Sequence, residues 1–397
     1  MSISSLISPS GEPSVQDSLW HIALSTNSGQ TDFKYVYDIY SGGDQLVRVK
    51  VYPDPTNGRG YFDAGSVVRN EIIYDWFVPV NNTNYAFLNT PNDSGQIAVT
   101  YNVRVGEDYS GVTTLNLASG NVTAYNWAPP LFNRKDGTDS TSMNDKWFSN
   151  RPKVIKAGVD DRILIPYKST YDTDLYLHTK VNGNASYIYT ASLQGCRFYK
   201  QFSIGIKVLN EYYSGDLQND FGNDYSGIEY YDISVWDDTL GVLGESIRVY
   251  KDCNPKYQPI NLFFMNAWGM FDTARFSLAS RLTVDIERKS FSKNDYRLTN
   301  TSITYFDSNN TYNETKINYG SKSNWTYKLT MDFPTDEEYE WLYELMVSPQ
   351  IYAELDGAFY PVTLKATNYE YSKYTNNKLR ALELEIELNQ TRYGFTR

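Results

Sequence analysis

The chain has 397 residues, of which 41% are hydrophobic and 21% are charged, and this balance excludes both wholesale disorder and a single small domain. Its formal net charge of −11 excludes the basic surface by which proteins attract nucleic-acid phosphates or anionic membranes without sequence preference. No segment has the uninterrupted apolar length of a membrane span, and the first residues lack the basic and apolar regions of a secretion signal. We therefore expect a protein that is made and kept in solution.

Aromatic residues are abundant, with 36 Tyr, 18 Phe and 8 Trp. Ring side chains favour β-strands, and tyrosine also suits surfaces that are half apolar and half wet. Most of the tyrosines are expected to fill cores and strand faces. The others are candidates for contact with partners.

The first 128 residues predict an arm followed by a β-sandwich. Residues 1–16 are rich in Ser, Pro and Gly without periodicity, which favours a flexible N-terminal arm. Apolar residues alternate on both sides of Gly42-Gly43, a pattern typical of a β-hairpin. We therefore predict a β-sandwich domain at residues 17–128.

The middle of the chain predicts a break and then a second β-rich domain. Residues 129–146 are polar and contain paired prolines, which indicates a linker or long loop. The second domain is predicted at residues 147–290, with short strands punctuated by Asn, Gly and Asp. Its expected strands lie at residues 162–167, 174–181, 185–193 and 202–209, followed by a loop at 214–227.

The C-terminal segment, residues 291–397, predicts a β-domain with a single flanking helix. Thr335 and Glu338 have the spacing of a capping box, and the apolar residues that follow share one helical face. A helix is therefore expected at residues 336–347. Together the segments predict a mainly β protein with two or three sandwich-like domains.

Two further strand signals lie near the end of the chain. A hairpin is predicted about Asp356-Gly357, and Pro361 favours an edge position for its second strand because proline cannot donate a backbone hydrogen bond. Residues 382–388 alternate four aliphatics with Glu383, Glu385 and Glu387, which is the clearest strand pattern in the sequence. Those carboxylates are ordinarily the wet face of a strand.

Residues that carry catalytic or metal chemistry are scarce. The two histidines, His21 and His178, stand in predicted strands outside any ligand spacing, and no phosphate-binding glycine motif occurs. The loop at 216–224 offers oxygen ligands for calcium but does not match the EF-hand spacing. We predict no catalytic residues, no cofactor and no metal site. Solvated loop acids are the favoured interpretation of Asp160, Asp161, Asp237 and Asp238, and free thiols that of Cys196 and Cys253.

Several stretches resemble virion structural proteins of tailed bacteriophages, especially phages of Bacteroidetes-type gut bacteria. They are FKYVYDIYSGGDQLVRVKVYPDPTNGRGYFD at 33–63, VTYNVRVGEDYSG at 99–111 and CNPKYQPINLFFMNAWGMFDTARF at 253–276. The last block also resembles, at the level of fold, the tail-tube and distal-tail group, in which a β-sandwich flanked by one helix is repeated around a ring. The resemblance implies a location in the virion more than a mechanism.

The leading hypothesis is a homo-oligomeric tail, neck or baseplate protein of a phage virion, made in the cytoplasm of the host bacterium. It would assemble through sandwich faces and edges, with copies of itself and with other tail or neck proteins as partners. If the strand with Glu383, Glu385 and Glu387 faces a lumen, its negative charge would repel passing genomic DNA and keep it from sticking, so that the DNA passes without specific binding.

The alternative hypothesis is a receptor-binding or carbohydrate-binding module of a tail fibre or adaptor. Tyrosine faces can stack on sugars and hydrogen-bond their hydroxyl groups. The candidate loop aromatics are Tyr212, Tyr213, Tyr225 and Tyr230. An enzyme is the least favoured class, because no catalytic cluster is recognisable.

Overall fold

The structure, a computed structural model, describes residues 3–11, 13–72, 98–109, 111–128, 146–168, 175–191, 199–237, 241–252, 255–294, 296–298, 300–305, 315–332, 334–365, 382–389 and 392–393. It confirms the predicted mainly β fold, with several antiparallel sheets. The described part of the chain contains four helices.

The strands of the first half are β1 (Ile3–Ile7), β2 (Trp20–Ser25), β3 (Lys34–Ser41), β4 (Asp44–Val51), β5 (Gly60–Asp63), β6 (Ala98–Tyr109), β7 (Val112–Ala118), β8 (Val122–Tyr125), β9 (Lys146–Trp147), β10 (Val154–Ala157), β11 (Leu164–Lys168), β12 (Leu175–Val181) and β13 (Ala185–Ala191). Those of the second half are β14 (Tyr199–Ser203), β15 (Tyr230–Asp237), β16 (Gly241–Lys251), β17 (Ile260–Met265), β18 (Phe271–Phe276), β19 (Arg281–Ser292), β20 (Tyr296–Leu298), β21 (Ile303–Tyr305), β22 (Lys316–Met331), β23 (Ile351–Leu355), β24 (Ala358–Leu364), β25 (Leu382–Leu388) and β26 (Arg392–Tyr393). The helices are α1 (Gly65–Arg69), α2 (Ile206–Tyr212), α3 (Asp216–Phe221) and α4 (Asp336–Val347).

The chain divides into two compact units, and both are discontinuous in sequence. The first contains residues 1–254, 263–274 and 340–350, and the second contains residues 255–262, 275–339 and 351–397. The predicted domains 147–290 and 291–397 differ from this division because β17 and β19 belong to the same sheet as β23 to β25. Such long-range strand pairing leaves no local pattern in the sequence.

Two sheets enclose the first core of unit 1. One has the order β1-β2-β5, and the other has the order β4-β3-β6-β7 with β8 also paired to β6. Tyr35 and Tyr37 are fully buried between them, and the Tyr37 hydroxyl donates to the Gly60 carbonyl at 2.8 Å. A Cβ at Gly60 would come within 2.5 Å of the Tyr35 ring, so only glycine fits there. The predicted hairpin at Gly42-Gly43 is thus present, and the described residues of the predicted domain at 17–128 are rich in strands.

The predicted flexible arm at residues 1–16 is wrong in its described part. Strand β1 pairs with β2 in antiparallel register, from Ile3 opposite Ser25 to Ile7 opposite Ile22, and Val15 is fully buried. Apolar Ile3 and Leu6 supply the packing that the Ser-rich composition concealed, since they belong to or contact the core.

The histidine of this core serves packing and hydrogen bonding. His21 is fully buried, with Nδ1 3.0 Å from the Ser8 hydroxyl and Nε2 3.2 Å from the Tyr101 hydroxyl. Burial lowers the pKa of His21 to about 4, which keeps the ring neutral.

The second core of unit 1 lies between a five-stranded sheet, β10-β16-β15-β12-β13, and a three-stranded sheet, β14-β11-β9. Three of the predicted strands correspond to β11, β12 and β13. The fourth, at 202–209, is wrong in its second half: the strand ends at Ser203, and helix α2 follows after Gly205. Ile206, Leu209 and Tyr212 are buried at helical spacing, so local alternation around Phe202 gave the wrong period.

The predicted loop at 214–227 contains helix α3. Residues 129–145 of the predicted linker lie outside the described residues.

Helix α4 has the predicted bounds and the predicted cap. The Thr335 backbone N–H donates to Glu338 Oε2 at 2.7 Å, and the Glu338 N–H donates to Thr335 Oγ1 at 3.2 Å. This reciprocal pair is a capping box, which satisfies two of the four N–H groups that a helix start leaves unpaired.

A buried carboxylate links three chain segments within unit 1. Asp272 is fully buried, and its Oδ2 accepts hydrogen bonds from the Ser149 hydroxyl at 2.6 Å, the Trp341 indole N–H at 3.0 Å and the Asn266 amide at 3.3 Å. Burial raises the pKa of Asp272, while these donors and the Arg151 guanidinium oppose the rise.

A second buried carboxylate lies in the same region of unit 1. Glu344 on α4 accepts from the Asn150 amide at 2.5 Å and from the Ala267 backbone N–H at 2.9 Å. Burial, only partly offset by these donors, raises its pKa from 4.5 to about 7. The helix is therefore fastened to both segments through groups whose ionisation is unfavourable.

We predict that Glu344→Gln lowers the free energy of unfolding at pH 5 relative to that at pH 7.5, when compared with the wild type, in which buried His21 acts in the opposite direction. The folded state binds a proton that the unfolded chain has released between about pH 4.5 and 7, so unfolding becomes easier as the pH rises through that window. The expected contribution of this residue is on the order of 3 kcal/mol. Thermal unfolding at the two pH values measures it. Glu340→Gln, an exposed change on the same helix, is the control and should leave the difference as it is in the wild type.

Candidate assembly surface

Three of the four predicted binding tyrosines lie in a core, which corrects their interpretation as loop aromatics. Tyr212, Tyr213 and Tyr225 are each no more than 8% exposed and belong to the second core of unit 1. The Tyr213 hydroxyl is 2.5 Å from the Thr179 hydroxyl inside that core. Helices α2 and α3 bring them there, so the Asp, Asn and Gly of this stretch concealed an apolar helical face.

The fourth, Tyr230, lies on the outer face of the five-stranded sheet. The Arg248 guanidinium lies 4.6 Å from its ring centroid and binds Asp232 through two hydrogen bonds of 2.7 and 2.9 Å. The Tyr250 ring is 5.9 Å away and 42% exposed. A tyrosine pair beside a fixed carboxylate and guanidinium thus faces outward.

The acidic strand β25 is present with the predicted bounds, and its three carboxylates share one face. The Lys328 ammonium lies 2.6 Å from the Glu383 carboxylate, and the Lys365 ammonium lies 3.3 Å from the Glu387 carboxylate. Lys328 also stands opposite Glu385 in the strand register. Two ammonium groups therefore offset three carboxylates, which weakens the repulsion of DNA expected from the sequence.

The prediction of solvated loop acids is wrong for Asp161, which is buried, and for Asp237, which is the last residue of strand β15. Asp160 forms an ion pair with Lys207, and Asp161 accepts the Gly158 backbone N–H at 2.5 Å. Cys196, Cys253 and Asp238 lie outside the described residues. The described ranges contain no group of three or more His, Cys, Asp or Glu that could hold a metal ion.

The most distinctive surface of unit 2 is a long ribbon of two strands. β19 pairs with β22 over twelve residues, from Arg281 opposite Lys328 to Ser292 opposite Lys316. β19 ends the strand order of the eight-stranded sheet, β18-β17-β23-β24-β25-β22-β19, in which β26 also pairs with β22. All twelve residues of β19 are exposed. Within the described chain, its outer edge therefore has no partner strand, and both of its faces are open.

One face of this ribbon is apolar. Leu282, Val284 and Ile286 alternate along β19 and are 46%, 39% and 52% exposed. Tyr327 and Trp325 on β22 stand opposite Leu282 and Val284 and extend the same face. We call these five residues the ribbon face.

The ribbon face continues the buried side of its own sheet. Beyond Trp325 and Tyr327, every second residue of β22 is Leu329 and then Met331, and both are buried. Ile386, opposite Tyr327 on β25, is also fully buried. A single apolar stripe thus passes from a covered core to an uncovered edge.

The sequence contains a pattern that indicates this surface, although β19 is not among the strands predicted above. In Arg281-Leu-Thr-Val-Asp-Ile-Glu-Arg-Lys289, aliphatic residues alternate with polar or charged ones for three periods, which predicts a strand with one apolar face. The pattern does not reveal that no other strand covers it.

An uncovered edge with an apolar face favours strand addition. A free edge presents a row of unpaired backbone N–H and C=O groups that another strand can satisfy, while the side chains on one face join an apolar contact. Natural proteins usually shorten, cover or interrupt such edges. β19 is twelve residues long, and three of its aliphatic side chains are exposed.

The described part of the chain has no helix long and apolar enough to cross a membrane. No family model matches the sequence, and no curated protein matches it. Among solved structures the chain is similar to a candidate membrane-anchored protein from Corynebacterium diphtheriae, with 10% sequence identity, coverage of 99% of this chain and 80% of that one, and a TM-score of 0.17. A likeness this weak carries no functional argument.

Proposed function

We propose that this protein is a structural component that self-assembles through the β19–β22 ribbon. The observation that carries the proposal is an edge strand whose twelve residues are all exposed and whose one face is apolar. Edge pairing between copies would satisfy the open backbone groups and bring Leu282, Val284 and Ile286 into contact with the same residues of the second copy, which covers part of their exposed surface. The occupant that we propose for this edge is a second copy of this chain.

The free energy of this contact can be compared with the free-energy cost of bringing two molecules together. Burying three half-exposed aliphatic side chains on each of two copies contributes about 6 kcal/mol, roughly 1 kcal/mol for each side chain. Bringing two molecules together costs about 4–15 kcal/mol in lost freedom of motion. A single ribbon contact thus gives a weak complex, and a stable assembly needs further contacts through other surfaces of each copy. Repeated contacts are what a symmetric oligomer supplies.

The proposed setting is the virion of a tailed phage, as a tail, neck or baseplate protein in a homo-oligomer. The resemblance of residues 33–63, 99–111 and 253–276 to virion structural proteins supports this setting. The partners would be copies of itself and other tail or neck proteins, and the net charge of −11 would disfavour adhesion to passing DNA. No enzymatic step is part of this role.

We predict that Val284→Lys abolishes self-association, whereas Thr283→Lys leaves most of it intact. The two positions are neighbours on β19 with side chains on opposite faces, so both add one charge, and only the first places that charge in the apolar contact. Sedimentation velocity over a range of protein concentrations measures the association. Circular dichroism confirms that both variants fold.

The assembly proposal fails if the wild-type protein remains a monomer at the highest soluble concentration. It also fails if both lysine variants associate as the wild type does.

A second candidate function, carbohydrate binding, is favoured by the outer face of the five-stranded sheet. Tyr230 and Tyr250 lie near one end of β15, and Trp236 with the His178 ring 5.6 Å away lies near the other. Trp236 is six positions after Tyr230, which is about 20 Å along an extended strand. This distance suits an oligosaccharide better than a single sugar.

The middle of that face is polar, which distinguishes it from the ribbon face. Asp232 and Arg248 stand between the aromatic ends, and Lys180 is opposite Asp232 in the register. Protein interfaces are depleted of charge at their centres, whereas sugar hydroxyl groups need carboxylate and guanidinium partners there. The pattern therefore favours a polyhydroxylated ligand over a protein.

For this candidate, Tyr250→Ala should weaken binding of any recognised oligosaccharide by up to about tenfold, because a stacking ring is removed. An oligosaccharide array followed by titration calorimetry measures the change. Tyr52→Ala is the matched control, since Tyr52 is an exposed tyrosine of the other sandwich. Absence of binding to the array, or equal losses in the two variants, would exclude a sugar site on this face.

A further inference from the structure

We infer that two copies of the chain pair antiparallel through β19, with Val284 at the centre of the contact. This inference rests on the proposed self-assembly and specifies its partner strand, register and symmetry. It follows from the order of charged and aliphatic residues along β19, which is complementary to itself in one register.

The geometry of antiparallel strands limits the choices. Two identical edge strands that continue one sheet are related by a two-fold axis perpendicular to that sheet, so side chains directly opposite each other lie on the same face. Because side chains alternate between the two faces of a strand, the two-fold axis must pass through a residue and its counterpart, which we call the central residue. When the central residue changes by one position, the partner opposite each residue changes by two positions. The candidates can therefore be compared one centre at a time.

With Val284 at the centre, both faces are complementary. On the ribbon face, Leu282 stands opposite Ile286 of the second copy, and Val284 stands opposite its own counterpart. On the polar face, Arg281 stands opposite Glu287, and Thr283 stands opposite Asp285. Opposite charges and paired aliphatics across antiparallel strands each stabilise a sheet by roughly 0.2–1 kcal/mol.

Neighbouring centres are less favourable. A centre at Asp285 places Asp285 opposite itself and Arg281 opposite Lys289, and a centre at Ile286 places Asp285 opposite Glu287. Like charges directly opposite are destabilising. A centre at Thr283 keeps one charge pair, Arg281 with Asp285, but moves Ile286 opposite Ser280, beyond the start of β19. Val284 alone combines all three aliphatic residues with opposite charges.

The environment of Arg281 within its own ribbon supports the same register. Arg281 stands directly opposite Lys328 on β22, a like-charge pair, and Lys328 is paired with Glu383. A carboxylate from the second copy, Glu287, would approach Arg281 from its open side. The contact thus supplies the opposite charge that this end of β19 lacks within the strand pair.

Such a contact is isologous, because the same patch is used on both copies. The two copies then have opposite polarity. Assembly through β19 alone ends at a dimer, and rings built through other surfaces would be joined face to face by these pairs.

Single cysteines along β19 test the register, in a background where Cys196 and Cys253 are changed to Ser. The central residue is directly opposite its own counterpart, within reach of a disulfide, whereas residues two or more positions away are more than 7 Å from theirs. We therefore expect Val284→Cys to form an intermolecular disulfide about tenfold faster or more than Ile286→Cys under mild oxidation. A mixture of Leu282→Cys and Ile286→Cys should cross-link between the two variants, and neither should cross-link readily by itself.

Each outcome has one meaning when sedimentation is measured on the same reduced samples. Fastest cross-linking at 284 with the mixed 282–286 product supports the register. Fastest cross-linking at 283, 285 or 286, or association without any β19 cross-link, overturns the register and leaves self-assembly standing. Absence of association in every reduced sample, including the parent, overturns the proposed function itself. Charge reversal provides a second readout. Because the polar face pairs Arg281 with Glu287, Glu287→Lys should weaken association. Arg281→Glu combined with Glu287→Arg should restore it.

Discussion

Unit 1 depends on a carboxylate that is wholly removed from water. Asp272 gathers hydrogen bonds from Ser149, Asn266 and the indole of Trp341, so a polar centre joins two loop segments to helix α4. Burial of an ionised carboxylate is costly, and these three donors together with the Arg151 guanidinium offset part of that cost. Glu344, one turn further along α4, holds the same segments through Asn150 and Ala267. The position of the helix is therefore fixed by direction-dependent bonds, and its buried Trp341, Leu342 and Leu345 supply the packing.

The second unit illustrates the opposite condition, an apolar stripe that is only partly covered. Leu329 and Met331 are buried on β22, yet the same side of the same strand reaches Tyr327 and Trp325 and then the exposed aliphatics of β19. Folding of one copy satisfies the first part of this stripe and leaves the second part in water. The surfaces proposed for assembly and for carbohydrate binding differ accordingly: the ribbon face is aliphatic at its centre, whereas the outer face of the five-stranded sheet has ion-paired Asp232 and Arg248 at its centre.

Local patterns predicted local structure well. The capping box at Thr335, the Asp356-Gly357 turn with both residues at positive φ and the alternation of Leu382–Leu388 each depend on neighbours in sequence, and each is present. Predictions were wrong where the position of a strand or the burial of a side chain depends on strands that are distant in the sequence. Pro361 was expected on an edge strand, but β24 lies between β23 and β25; pairing with β23 includes Pro361, and pairing with β25 begins at Val362, so the missing N–H stands where the strand changes partner. Burial of Tyr212 and exposure of Val284 likewise depend on which elements arrive from elsewhere in the chain.

The strand order of the large sheet also constrains when the protein can be completed during synthesis. β25 lies between β24 and β22, although both of these strands leave the ribosome before it. Until Leu388 has emerged, each of those two strands has an open side. Leu329 and Val362, which are buried in the finished protein, still lack the β25 neighbours that the complete sheet provides. A nascent chain that stalls before this point would expose two extra edges besides β19. Pairing of β25 with β22 and β24 therefore removes two exposed strand edges of this sheet late in synthesis, and exposed edges are the sites at which incomplete chains aggregate.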